Sequence, residues 1–270
     1  YTRFLYSAFL SLLIDLPTIY EIHSSFITKI DKLFFGLINK NKLKKIIVIS
    51  KYLKNYFIEK YKISERKILV APDGADSIPK MIDSIEIGEN NKLKVGYIGH
   101  LYKGRGIDII AEIAKRCDWI EFHVIGGLPE DLNFWKKELS KQKNVIFYGH
   151  IPHKDVYRYM LSVDALIAPY QKKVTVQGRG DTCQWMSPLK IFEYMATGKV
   201  ILASDLPALR EVLEHKKNSL LAVPDNVDMW ISNLELIREN VQLRNELGKN
   251  AKNDFENSYT WKSRAANVLN

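Results

Sequence analysis

Cysteine is nearly absent from this 270-residue chain: only Cys117 and Cys183 occur, far apart and in no metal-ligand spacing. That excludes a disulfide framework and a cysteine zinc site, and makes a reducing, cytoplasmic setting the default. Long apolar runs are missing too. No stretch reaches about 18 apolar residues, so no membrane-spanning helix is expected. Residues 4–16 come closest, without the cationic leader or small-residue cleavage site of a signal peptide. Acid is in short supply: 31 Asp and Glu against 40 Lys and Arg give a net charge of +9. The imbalance favours an anionic partner, whether a nucleotide sugar, an anionic membrane surface or nucleic acid. Nucleic acid is the weakest of these, because no DNA- or RNA-binding signature and no arginine tract is present. The dinucleotide fingerprint and the P-loop pattern are also missing.

What is present is a globular chain, 46% hydrophobic, long enough for one large domain or two small ones. Residues 2–14 read as a helix that Pro17 ends, and 18–22 as a strand leading into His23. A histidine at the carboxyl end of a strand stands where open α/β sheets place ligand contacts, although a lone histidine is more often a plain loop residue. Residues 26–39 carry apolar side chains at helical spacing, with Lys29, Lys32, Lys40, Lys42, Lys44 and Lys45 on or beside them. Such a stripe packs on a sheet or lies on an anionic membrane. Strands at 45–50 and 67–71 flank a helix at 51–61 that Ser50 caps. The polar stretch 77–91 reads as a linker.

From Lys94 a second α/β run begins. A strand ends at Gly99 and His100, a basic glycine loop holds Lys103, Gly104, Arg105 and Gly106, and a helix covers 107–116. Strand, glycine loop and helix form the phosphate-binding layout of doubly wound folds, with Lys103 and Arg105 placed to meet a pyrophosphate. A solvated basic turn is the plain alternative. Further strands end at Gly126 and Gly149, and helices are expected at 131–141 and 155–162. The alternation predicts a parallel sheet covered on both faces. Residues 170–186, with Arg179 and Trp185, break the rhythm and read as a lid.

The most informative stretch is Ser187-Pro188-Leu189-Lys190-Ile191-Phe192-Glu193-Tyr194-Met195-Ala196-Thr197-Gly198. Pro188 suits a first helical turn. Amides at a helix start, with Lys190 beside them, suit an anion. Glu193, one turn on, is an acceptor-only carboxylate suited to vicinal hydroxyls such as those of a ribose. An ordinary amphipathic helix with Leu189, Phe192 and Met195 in a core would show the same spacing.

That stretch, followed by Ala203-Ser204-Asp205-Leu206-Pro207 and Arg210-Glu211-Val212, resembles the donor-site signature of retaining glycosyltransferases of family 4, which have the GT-B architecture. The resemblance runs from about Tyr20 to Trp261. It includes Val-Ile-Ser-Lys-Tyr-Leu-Lys at 48–54, Lys-Ile-Leu-Val-Ala-Pro-Asp-Gly-Ala-Asp at 67–76 and the closing Tyr259-Thr260-Trp261. It implies an α/β fold of two Rossmann-like doubly wound domains, the first incomplete. Residues 1–76 would belong to the acceptor side, 77–93 to a linker and 94–257 to the nucleotide-sugar side, and 258–270 would return to the first domain. It implies a hexosyltransferase that takes a nucleoside diphosphate sugar to a glycan or lipid-linked acceptor in bacterial surface polysaccharide (including lipopolysaccharide) biosynthesis, peripheral on the inner face of the membrane.

The catalytic set carried over is His23, Lys103, Lys190 and Glu193. The donor-binding set is Gly99, His100, Lys103, Arg105, Gly126, His150, Ile151, Ser187, Pro188, Leu189, Lys190 and Glu193, with His150 and Ile151 towards the base. No metal or other cofactor is expected, since basic groups neutralise the departing diphosphate, whose own phosphate takes the acceptor proton. The chain departs from the family in two ways. Trp185 stands where many members have a second glutamate eight positions before Glu193. The opening strand and glycine-rich loop of the first domain are not in this sequence, so an exposed sheet edge and a partner chain or self-association are expected. The alternative function is a nucleotide-sugar-binding half, or a non-catalytic subunit needing a partner chain.

Overall fold

The computed structural model describes residues 1–25, 43–79, 81–173, 175–176, 180–181, 187 and 189–269. The basic segment expected at 26–39, with Lys40 and Lys42, lies outside the described residues, as do Arg179, Cys183, Trp185 and Pro188.

A helix α1 (Leu5–Leu13) precedes a three-stranded parallel sheet of β1 (Thr18–Ile22), β2 (Leu43–Val48) and β3 (Ile68–Val70), in that spatial order. Helix α2 (Lys51–Tyr61) joins β2 to β3. Strand β2 ends in the apolar run Ile46-Ile47-Val48, all fully buried, as a strand covered on both faces requires. Ile46 and Val48 share a core with Ala8, Leu12, Leu53 and Phe57 of the two helices. Ile47 faces the other way, to Ala71 and to Val268 on the last helix. The helix expected from Thr2 begins three residues later. Thr2 is extended instead: its N–H donates to Ile19 O and its carbonyl accepts from Glu21 N–H, both at 3.0 Å, which adds one rung to the outer edge of β1. Asp15, left-handed at φ 62°, turns the chain out of α1 before Pro17 is reached.

The second sheet contains β4 (Leu93–Ile98), β5 (Ile120–Ile125), β6 (Val145–Gly149), β7 (Ala165–Ala168), β10 (Val200–Ser204) and β11 (Leu220–Ala222), while two-residue β8 (Thr175–Val176) and β9 (Gly180–Asp181) form a separate antiparallel pair. Its six strands are parallel, in the order β11-β10-β7-β4-β5-β6. Helices α3 (Ile107–Arg116), α4 (Pro129–Glu138), α5 (His153–Ser162), α6 (Leu189–Thr197), the short α7 (Pro207–Arg210), α8 (Val227–Glu239) and α9 (Val241–Asp254) connect or follow the strands. A π turn at Phe255–Tyr259 then leads to α10 (Trp261–Leu269). The chain enters at the centre with β4, steps out to β6, then crosses back to β7 and steps out the other way. Ligands of such sheets bind where the direction reverses. Here β4 and β7 pair only through Val95–Ala165 and Gly96–Leu166, so their carboxyl ends part.

Of the stretch 77–91, expected as a polar linker, the described residues carry no helix or strand but are fastened down. Ile78, Ile82, Ile85 and Ile87 pack on the core beneath the second sheet, and Ile85 N–H donates to Ser162 Oγ at 2.8 Å. These spaced isoleucines among polar neighbours explain the difference. The chain passes between the two sheets twice at one place, where Ala75 and Thr260 form a bridge. A Cβ on Gly74 would stand 2.6 Å from Tyr259 O, so only glycine permits that approach.

Candidate active site

A cleft of 660 Å³ opens between the sheets at the carboxyl ends of their strands. Its walls are built from short segments that follow strands. On the first-sheet side, His23 follows β1, Ile49 follows β2 and Asp73 follows β3. On the other side, Gly99 and His100 follow β4, Gly126 follows β5, and His150 and Ile151 follow β6. Ser187 and the first turns of α6, with Leu189, Lys190 and Glu193, complete the rim.

The parting of β4 and β7 is held open by α6. The buried Tyr194 hydroxyl accepts Ile98 N–H at 2.9 Å, supplying the partner that strand β7 no longer offers. Fixing Tyr194 fixes Lys190 and Glu193 on the same helix. Lys190 Nζ lies 3.2 Å from Glu193 Oε2, and His153 Nε2 lies 3.4 Å from Oε1. Only Oε1 of that carboxylate has hydrogen-bond geometry; buried Oε2 has no such partner among the described residues. Tyr157 nearby is pushed up to about 12, first by burial and then by the Glu193 charge.

Arg105 is held across the sheet from α6. Gly106, at φ 85°, caps α3, and a Cβ there would fall 1.8 Å from Pro169 O. That close passage turns the Arg105 side chain inward. Its guanidinium lies 4.8 Å from the Tyr102 ring centroid and 5.4 Å from that of Tyr170, and it donates to the Tyr102 hydroxyl. Arg105 Nε is buried without a hydrogen-bond partner among the described residues. His100 stacks on Tyr102 at 5.3 Å, and Tyr97 donates to the His100 carbonyl at 2.5 Å. Burial, then the Arg105 and Lys190 charges, push the His100 imidazole down, so it is a neutral group beside two cations.

Across the cleft, His23 pairs with Glu21, whose side chain is buried. Arg264 of α10 donates to Glu21 Oε1 at 3.1 Å, to Pro72 O at 2.9 Å and to Ala71 O at 3.3 Å. The last helix thus fixes the strand ends that carry His23 and Asp73. Burial pushes the Asp73 carboxyl up. Its N–H donates to Ser187 Oγ at 2.9 Å, across the cleft.

Of the residues named from sequence, the cleft gathers His23, Gly99, His100, Arg105, Gly126, His150, Ile151, Ser187, Leu189, Lys190 and Glu193. Lys103 is exposed and does not line it, because the loop that turns Arg105 inward leaves its neighbour in solvent. Pro188 lies outside the described residues. Sequence reasoning missed His153, Asp73 and Tyr170 as cleft residues. His153 carried a usable signal, standing one position past a strand-end loop and opening a helix towards Glu193. Tyr170 carried none. Among the described residues no helix is long and apolar enough to cross a membrane, and no cluster of potential metal ligands occurs.

Comparison with known proteins gives the same frame. The fold matches Anabaena Alr3699/HepE, solved in complex with UDP, with a TM-score of 0.76 and 17% identity over 98% of this chain and 74% of that one. It also matches the lipopolysaccharide outer core galactosyltransferase WaaB, with a TM-score of 0.69 and 17% identity over 98% and 78% of the two chains. These likenesses identify a GT-B fold. An uncharacterized glycosyltransferase of Methanocaldococcus jannaschii, MJ1069, is 25% identical over 90% of this chain and 62% of its own length. A putative teichuronic acid biosynthesis glycosyltransferase of Bacillus subtilis, TuaH, is 32% identical over 42% of this chain and 27% of its own. The chain therefore spans about 60% or less of these curated relatives. A family model covers residues 77–254, from the fastened linker through the second sheet to the end of α9, and it is that of the glycosyl transferases group 1, the family to which this chain belongs.

Proposed function

We propose that the chain carries the donor site of a retaining glycosyltransferase, which moves a sugar from a nucleoside diphosphate sugar to a glycan or lipid-linked acceptor of bacterial surface polysaccharide. One observation carries the reading. On the donor wall Arg105 Nε is buried without a hydrogen-bond partner among the described residues, and Glu193 Oε2, also buried, faces the Lys190 ammonium 3.2 Å away. Leaving the Arg105 donor unpaired costs about 1–3 kcal/mol, so it is a group kept for a ligand, and the Glu193 carboxylate keeps acceptor capacity beyond its Lys190 and His153 contacts. One is a cationic donor beside Lys190 and the start of α6, suited to a diphosphate; the other is a carboxylate suited to ribose hydroxyls. Residues 94–257 form the donor side, and 1–76 with 258–270 the acceptor side.

In this reading the bond from the sugar carbon to the diphosphate breaks as the acceptor oxygen bonds to the same face, and the acceptor proton passes to the departing phosphate. Arg105 and Lys190 stabilise the charge that grows on the diphosphate in a cleft that limits water. His23 faces them and orients sugar or acceptor. HepE has been solved with UDP and with UDP-glucose, which makes uridine diphosphate the first ligand to try. Calorimetry with UDP, GDP and ADP tests the reading. Selective micromolar binding of one supports a formed donor site, and no binding by any of the three overturns it.

The acceptor is membrane-borne in this proposal. Helix α1 and the residues that flank it leave Phe4, Tyr6, Leu10 and Ile14 each at least 60% exposed, and the net charge of +9 suits an anionic bilayer. Co-sedimentation with phosphatidylglycerol vesicles tests this contact. Light scattering that finds self-assembly and no vesicle binding puts the second reading ahead, a binding subunit that works with a partner chain.

A further inference from the structure

One residue of the signature stretch has no part in the donor site. Glu211 follows α7 on the second-sheet side, yet its carboxylate reaches the first-sheet side. Oε2 accepts Lys51 N–H at 2.8 Å and Oε1 accepts Tyr52 N–H at 3.3 Å. These are the first amides of α2, which no carbonyl within the helix can satisfy. The next amide, Leu53, is taken by Ser50 Oγ at 3.3 Å. One helix start is therefore capped partly from its own unit and partly by a charge 160 residues away.

That start of α2 is connected to the cleft. Ser50 follows Ile49, which lines the wall. Val48, just before it, pairs with Ile22 of β1, and His23 comes next. Whatever holds residues 51 and 52 holds Ile49 and His23. We propose that Glu211 is a positioning residue: by gripping the start of α2 it sets the spacing of the two walls, and so holds His23 opposite Lys190 and Glu193. The carboxylate suits the task. It matches the positive end of the helix and offers two oxygens to two amides, so parting the walls exchanges two charge-assisted bonds for water. The Asp73 N–H to Ser187 Oγ bond also crosses the gap, so it reports on the spacing that Glu211 sets.

Two kinds of cap on one helix give the test. Amide hydrogen exchange is measured on the ligand-free full chain, for the parent, Glu211→Ala, Glu211→Gln and Ser50→Ala. Loss of the Glu211 charge is expected to raise exchange at Lys51 and Tyr52 by roughly tenfold, the worth of a charge-assisted bond. It is also expected to raise exchange at Asp73, whose bond crosses the cleft. Ser50→Ala frays the same helix locally, so it raises exchange at Leu53 and leaves Asp73 at the parental rate. Should Glu211→Ala not fold, Glu211→Gln, which keeps the shape and loses the charge, carries the same comparison. Faster exchange at Lys51 and Tyr52 with Asp73 unchanged makes Glu211 a local cap and overturns the proposal, as does no change at Lys51 and Tyr52. Because no nucleotide enters the experiment, its failure is distinct from a failure of the donor-site reading.

Discussion

Arg105 and Lys103 stand two residues apart in one loop and face different surroundings. Arg105 lies between two tyrosine rings at the cleft, and Lys103 is exposed. A sequence presents them as equivalent cations; only the passage of Gly106 under Pro169 separates them. Their alanine variants should part accordingly. Arg105→Ala is expected to lose about tenfold or more in affinity for the nucleoside diphosphate and much less for the nucleoside, since charge-assisted bonds to a diphosphate are the strong ones. Lys103→Ala should change either by less than about twofold, as an exposed cation near a site does. Calorimetry with diphosphate and nucleoside side by side reads both, and equal losses for the two ligands in Arg105→Ala would remove its assigned role.

At the scale of elements, the second-sheet wall of the cleft depends on how closely segments pass. Gly106→Ala adds a methyl group 1.8 Å from a backbone oxygen at a left-handed φ of 85°. The expected loss is about 3 kcal/mol, read as a fall in Tm of roughly 6–12 °C for a molecule of this size. The elements themselves were legible. Helices over Lys51–Tyr61 and Ile107–Arg116 end where Ser50, Gly106 and the apolar spacing place them. Lys190 and Glu193 were legible as one group, because spacing of i and i+3 puts them on one face of any helix. What stayed hidden depends on contacts distant in sequence. Tyr194 reads as one more aromatic core residue, and nothing local says that its hydroxyl would complete β4. The fastening of residues 77–91 was hidden for a related reason. Ile78, Ile82 and Ile85 stand at the spacing of a helix that the described residues do not form, so the pattern misleads until the surface they cover exists.

For the molecule as a whole, stability should depend on pH through a site remote from the cleft. His123 is fully buried on β5, hydrogen-bonded to the Tyr148 hydroxyl at 2.9 Å, with Glu121 Oε1 3.1 Å from its other nitrogen. Burial, then the Lys94 charge, outweigh the opposing Asp164 charge and lower the group from 6.5 to about 4. Between those values the unfolded chain binds the extra proton, so stability is whole above pH 6.5 and is lost as the pH falls towards 4. The contribution is at most about 3 kcal/mol. Urea denaturation of the parent and of His123→Gln at pH 7 and at pH 4.5 measures it, and the variant should lose less on acidification. Equal losses would show that the imidazole is not what the acid attacks.

The return of α10 to the first sheet has a consequence in time. A chain made from its amino end releases β1, β2 and β3 first, but the residues that close their far face, Arg264 and Val268, come some two hundred positions later. No residue of that last helix belongs to the apolar clusters described for the second sheet. During synthesis, then, the half that emerges first is the half completed last, and it waits with Ile47 and Glu21 uncovered while its neighbour is already folded.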